Sequence, residues 1–226
     1  MRRLWVYDHI PLLRLEVALD CMTVPTRDFR LNELRVRHDI ECLHCTTSGS
    51  NHQTVWGEGR ADPDIFFVGE APGKEENKFG RPFVGQAGQL LSAIFHEIGL
   101  CSEHCYIANV IKRRPPSNRT PLPDEIAKCG PYLIEQILTV QPKVIVALGG
   151  TATKFLLGTE TGITRLRGVW ASWTHPKLIN RSSVPLLPTF HPSYILWKPE
   201  SQRRNQLVSD IRMAVNRSRK TPIFMY

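Results

Sequence analysis

No stretch of this chain is apolar for long enough to cross a membrane, and none has the form of a secretory leader. The N-terminal MRRLWVYDHIPLLRLEVALD interrupts its apolar residues with Asp8, His9, Pro11, Arg14 and Glu16, so it offers neither a leader's apolar run nor a span of roughly 20 apolar residues. Acidic residues are in short supply: 21 Asp and Glu stand against 29 Lys and Arg, a formal net charge of +8. That imbalance bears on partners rather than fold, and it favours a polyanion. Six cysteines in 226 residues do not make a disulfide-stapled scaffold, so a reducing, cytoplasmic setting is expected. Internal repeats and low-complexity tracts are absent. The glycine-rich GEAPGKEENKFGRPFVGQAGQLL (69–91) carries neither Gly-Lys-Ser/Thr nor Gly-x-Gly-x-x-Gly, which excludes the commonest nucleotide cradles.

What the chain does contain is four short apolar, β-branched runs: DIFFVG (64–69), YIANVI (106–111), KVIVALG (143–149) and PLLPTF (185–190). Runs of this length without alternation suit strands buried on both faces. Helix-compatible stretches follow the first three, and RRNQLVSDIRMAVNRSRK comes near the end. The alternation predicts an α/β fold, a three-layer αβα sandwich around a central four-stranded parallel sheet. Arg167 to Pro188 is turn-rich and has room for a short hairpin before the last strand. Residues 1–40 form an N-terminal extension, either an added helical segment with LLRLEVAL at its heart or a poorly ordered leader. The domain is expected over 41–216, with a tail at 217–226.

Ligands of open parallel sheets sit at the carboxyl ends of the strands, and here each end is polar or glycine-rich. After the first strand come Gly69, Glu70 and Ala71, a close backbone approach beside a carboxylate able to orient a water. Phe83, in a loop between Pro82 and Val84, is a flat surface for stacking, or else a core residue. Asn109 is an unusual strand residue whose amide matches a donor–acceptor edge such as a pyrimidine's, or caps a turn. His191, held by Pro192, is a donor for a developing anion. CLHC (42–45) has metal-ligand spacing with Cys129 as a distant partner, and His38, His44 and His52 leave a mixed zinc site open.

Taken together, GEAPGKEENKFGRPFVGQAGQLL, YIANVIKRRPPSNRTPLPDEIAKC, PKVIVALG, ITRLRGVW and FHPSYIL closely resemble the family 4 uracil-DNA glycosylases, from about Glu41 to about Arg212. The resemblance implies a monofunctional glycosylase of base-excision repair, monomeric, intracellular and nucleoid-associated, acting on uracil-containing DNA. By the same resemblance, Gly69, Glu70 and Ala71 line the uracil pocket, with Glu70 on the hydrolytic water or the forming cation. Phe83 stacks on the flipped base, Asn109 reads its edge, and His191 donates to O2 of the departing anion. Lys112, Arg114 and Arg119 are phosphate contacts, and Ser193 and Tyr194 of PSYIL press into the minor groove.

Arg113, Asn77 and Trp197 depart from that pattern. The family holds a 4Fe-4S cluster on four cysteines, and Cys42, Cys45 and Cys129 match three of them while Arg113 occupies the fourth. A cluster is therefore a doubtful expectation, because guanidinium does not bind iron as thiolate does. Trp197 likewise stands where an arginine is usual. Two other readings are a non-catalytic DNA-binding adaptor, favoured by the broken cysteine set, and a glycosylase for another deaminated base.

Overall fold

The computed structural model describes residues 25–42, 53–197 and 201–220. LLRLEVAL, Cys45, His44 and His52 lie outside them. The sheet is built on β2 (Ile65–Gly69), β3 (Cys105–Asn109), β4 (Val144–Leu148) and β6 (Val184–Thr189), which run parallel in the order β3-β2-β4-β6. These are the four predicted strands. Every residue of β2 and β4 is buried, which is why their sequences are continuously apolar rather than alternating.

Successive side chains of those strands serve two different cores. Phe66, Val68, Ile145 and Ala147 point to one face, where they meet Leu133, Ile137 and Val140 of α4 (Pro123–Val140) and Ala152 and Leu156 of α5 (Gly150–Leu157). Ile65, Phe67, Val144 and Val146 point to the other, against Leu91, Ile94 and Phe95 of α3 (Gln86–Glu97) and Leu207, Ile211 and Ala214 of α8 (Ser201–Lys220). The result is the expected three-layer sandwich.

Two features go beyond the expected four-stranded parallel sheet. β1 (Glu58–Gly59) adds antiparallel to β3, and β5 (Ala171–Trp173) adds antiparallel to β6, giving six strands of mixed direction. The pairing of β5 with β6 supplies the hairpin expected after Arg167. β3 also stops at Asn109 rather than at Ile111, because Val110 N–H and Ile111 N–H turn to the carbonyls of Gly69 and Glu70. Asn109 is thereby placed at the last sheet position, directly beside Gly69.

Ahead of the sheet, α1 (Arg27–Glu41) begins at Thr26, whose hydroxyl oxygen accepts from Phe29 N–H at 3.2 Å. Leu31, Leu34 and His38 form its buried side and it packs on α4, tied by Arg37 to Glu135 at 2.6 Å and by the Tyr132 hydroxyl to Glu41. Residues 27–40 of the expected extension are thus part of the outer layer. No helix among the described residues is long and apolar enough to cross a membrane.

Candidate active site

A cavity of about 360 Å³ opens at the carboxyl ends of the parallel strands. It gathers residues from distant parts of the sequence: Glu70 and Ala71 after β2, Phe83, Asn109 at the end of β3, Gly149 after β4 and His191 after β6. The sheet order explains the convergence, since β3, β2, β4 and β6 are neighbours whose ends all face one way.

Gly69 is there because nothing larger fits. A β-carbon on it would lie 2.3 Å from Asn109 Oδ1 and 2.8 Å from the Phe83 ring. Asn109 is buried at 2% exposure, and its Oδ1 is a buried acceptor with no hydrogen-bond partner. Such an orphan is costly in a folded protein and is normally satisfied by a ligand or water. Phe83 holds a positive φ of 53°, a strained setting for an aromatic residue. It places the ring 5.6 Å from that of His191. Gly88, on the first turn of α3, permits this approach, since a β-carbon there would overlap the Phe83 carbonyl.

His191 is packed among protein atoms beside the cavity, and burial pulls its pKa from 6.5 down to about 4 against a smaller opposing effect of Glu76. It is therefore neutral at pH 7. Ser193 N–H donates to Nδ1 at 3.2 Å and the Ser193 hydroxyl lies 2.7 Å from the same atom. With Nδ1 accepting, the ring proton sits on Nε2, so His191 presents a neutral N–H donor. Glu70, half-buried, accepts from the Thr151 hydroxyl at the start of α5. Glu76, on α2 (Lys74–Phe79), bridges the glycine-rich loop, accepting from Gly73 N–H at 3.1 Å and Gly85 N–H at 2.7 Å.

The basic loop behind Asn109 corrects one expectation. Lys112 is fully buried, with its ammonium donating to the Asn109 carbonyl at 2.8 Å and to Gln136 Oε1, and standing 5.3 Å over the Trp56 ring. Burial lowers its pKa to about 7. It has no route to a phosphate, and its role is internal. Arg119 lines the cavity and is held by a two-pronged ion pair to Glu125 at 2.6 and 2.8 Å. Arg114 Nε donates to Asn118 Oδ1 at 2.6 Å. Tyr194 packs on Phe190 at 5.3 Å.

Cys129 is buried on α4, accepts from Lys112 N–H at 3.1 Å, and lies 3.6 Å from His38 Nε2. Cys42 caps the end of α1. Among the described residues no three His, Cys, Asp or Glu converge to hold a metal ion. Arg113, in the fourth cysteine's place, has its Nε buried without a hydrogen-bond partner. Of the three cysteines matched to the cluster positions, Cys42 and Cys129 are among the described residues, and Arg113 brings a guanidinium where the fourth thiolate would stand.

Sequence reasoning missed Thr151, Glu76 and the part Ser193 plays in fixing the His191 tautomer. The available signal for Thr151 was its place just after KVIVALG, at the carboxyl end of a predicted strand. For Glu76 there was none, because its partners Gly73 and Gly85 are defined only by the closed loop.

The profile of the uracil DNA glycosylase superfamily matches residues 56–212. The type-4 uracil-DNA glycosylase of Thermotoga maritima is 45% identical over 175 residues, covering 77% of this chain and 88% of the relative. That of Sulfurisphaera tokodaii is 41% identical, covering 73% of this chain and 75% of its own length. That of Archaeoglobus fulgidus is 39% identical, covering 78% and 88%. With the matched segment spanning all four parallel strands and the cavity at their ends, the chain belongs to the uracil-DNA glycosylase superfamily, alongside its type-4 members.

Proposed function

We propose that the protein is a monofunctional uracil-DNA glycosylase: it extrudes uracil from DNA, hydrolyses the N-glycosidic bond and leaves an abasic site. The observation that carries this reading is one cavity combining an unpartnered buried amide oxygen, Asn109 Oδ1, with a neutral imidazole donor and a carboxylate. Uracil offers N3–H as a donor beside O4 as an acceptor, and the Asn109 amide is complementary to that pair. Cytosine, with an acceptor at N3 and an amino group beside it, reverses the pattern and leaves Oδ1 unpaired.

Chemistry on a base requires it to leave the stack, at a cost of a few kcal/mol. In the cavity Phe83 covers the ring. As the C1′–N1 bond lengthens, its electron pair passes to the pyrimidine and positive charge grows on the sugar. His191 Nε2–H donates to O2 of the resulting anion, and a neutral donor does so without transferring its proton. Glu70 faces the other charge: its carboxylate, oriented by Thr151, stabilises the sugar cation and takes a proton from the water that adds to C1′. Arg114 and Arg119 are the phosphate contacts in this reading, with Ser193 and Tyr194 near the backbone. The enzyme acts as a monomer within the cell, and no step depends on iron.

The test is abasic-site formation on an oligonucleotide carrying one uracil, with Glu70→Gln and Asn109→Ala as controls. Both variants are expected to bind DNA while cleavage falls. Tight binding without excision by the wild type would replace the enzyme with the non-catalytic adaptor, the reading that the interrupted cysteine set favours.

A further inference from the structure

α4 carries a second apolar stripe besides the one that faces the sheet. Leu133, Ile137 and Val140 belong to the core, while Ala127, Pro131, Ile134 and Leu138, spaced four, three and four residues apart, lie along another side of the same helix. With Phe155 of α5 they floor a cavity of about 400 Å³. A second cavity of about 580 Å³ continues it past Leu138 and Lys177, which line both, to Arg30 of α1 and to Ile179. Ile134, Leu138 and Phe155 are only partly buried and Ile179 is 57% exposed, so the two cavities form one groove with apolar surface open to the outside. Single exposed hydrophobics are ordinary, but apolar surface gathered in a groove marks a place where something docks.

We propose that this groove is the docking site of the chain's own residues 12–19, LLRLEVAL, which lie outside the described residues. Six of the eight are apolar, and one side of the segment is apolar in either regular form: Leu12, Leu15 and Leu19 at helical spacing, or Leu13, Leu15, Val17 and Leu19 at alternate positions. The groove's place in the fold selects this occupant over a separate protein. The segment joins the described chain just ahead of Thr26, the N-cap of α1, and Arg30, one turn further on, already lines the groove. Six residues, 20–25, separate Leu19 from Thr26 and reach up to about 25 Å. The stripe from Ala127 to Leu138 is about 17 Å long, so the tether suffices. A tether that short holds the segment at an effective concentration in the millimolar range, which a diffusing partner does not match. Glu16 is the one acid of the segment, and Arg30 and Lys177 stand at the groove as its countercharges.

The experiment uses the full chain with Ile179 replaced by the photocrosslinker p-benzoylphenylalanine, an exposed position where a substitution leaves the fold intact. Irradiation is expected to give an internal crosslink, within the mass of one chain, that mass spectrometry maps to residues 12–19. Leu15→Asp should weaken that crosslink, and in the chain without the crosslinker it should speed tryptic cleavage after Arg14, each by roughly 10- to 100-fold, the scale for withdrawing one buried leucine. A crosslink that joins two chains assigns the groove to a second copy and overturns the proposal. So does the absence of any crosslink to residues 12–19, or tryptic cleavage after Arg14 that is equally fast in the wild type and in Leu15→Asp.

Discussion

Asn109 and Lys112 lie three residues apart at the end of one strand, both buried, and they end in opposite conditions. Asn109 turns its amide into the cavity and leaves Oδ1 with no partner, whereas the Lys112 ammonium donates to the Asn109 carbonyl and to Gln136, over the ring of Trp56. Lys112 itself is matched within the protein: its ammonium and its N–H all find acceptors, and Gln136 in turn donates to the Trp56 carbonyl at 3.0 Å, while the Trp56 indole N–H nearby is left without a partner. The difference separates holding from reading. A completed buried network rigidifies the fold, and an incomplete one costs stability unless a ligand finishes it.

The largest effect that can break this comparison is on catalysis. Asn109→Ala is expected to lower the single-turnover excision rate by roughly 10²–10³-fold, the usual scale for a lost transition-state donor. Its melting temperature should stay close to the wild type, because the residue removed has no internal partner at Oδ1. A large drop in melting temperature would mean that Asn109 supports the fold after all.

Lys112→Met should show the reverse balance. It leaves the Asn109 carbonyl and Gln136 Oε1 buried without their donor, a loss of about 2–4 kcal/mol in denaturant unfolding. Activity should fall too, since the carbonyl of the reading residue is released, but only as much as the loop moves. An unchanged stability would show the buried ammonium to be incidental.

The third prediction concerns acid. Unfolded, the His191 imidazole takes up a proton near 6.5, while burial in the fold delays this to about 4. Between those values the unfolded chain binds more protons, so the stability present above pH 6.5 declines as the pH falls towards 4, by up to about 3 kcal/mol from this residue. His191→Asn should give a shallower slope of unfolding free energy against pH over that window. An identical slope would place the titration elsewhere.

The smallest expected effect tests the cysteine region. Anaerobically purified Arg113→Cys should bind more iron per chain than the wild type, read by iron assay and by thiolate-to-iron absorbance. Equal iron in the two proteins would mean that Arg113 is not what limits cluster binding.

How much of this could be read from the sequence depended on whether a residue's partners were close by in the chain. The four parallel strands were legible because burial on both faces leaves each one almost continuously apolar; Glu70 and His191 were legible because they follow such runs directly, and Asn109 because it is an amide inside one. The edge strands were not: β1 is two exposed residues whose pairing is decided by β3, some fifty positions on. Lys112 sits in the run Lys-Arg-Arg, which reads as a solvated patch, yet its burial is set by Trp56 and by Gln136 on α4. α1 was not foreseen: the helical segment was expected around LLRLEVAL, and the mixed polarity of Arg27–Glu41 concealed its packing on α4.

On the proposed reading, Asn109, His191 and Glu70 form a pocket whose polar groups match uracil and mismatch cytosine. The most direct measurement is excision from two duplexes identical except for uracil or cytosine at one position, assayed with excess wild-type protein. Abasic sites at uracil alone are predicted. Cleavage at cytosine, or none at all despite tight binding, would contradict the account.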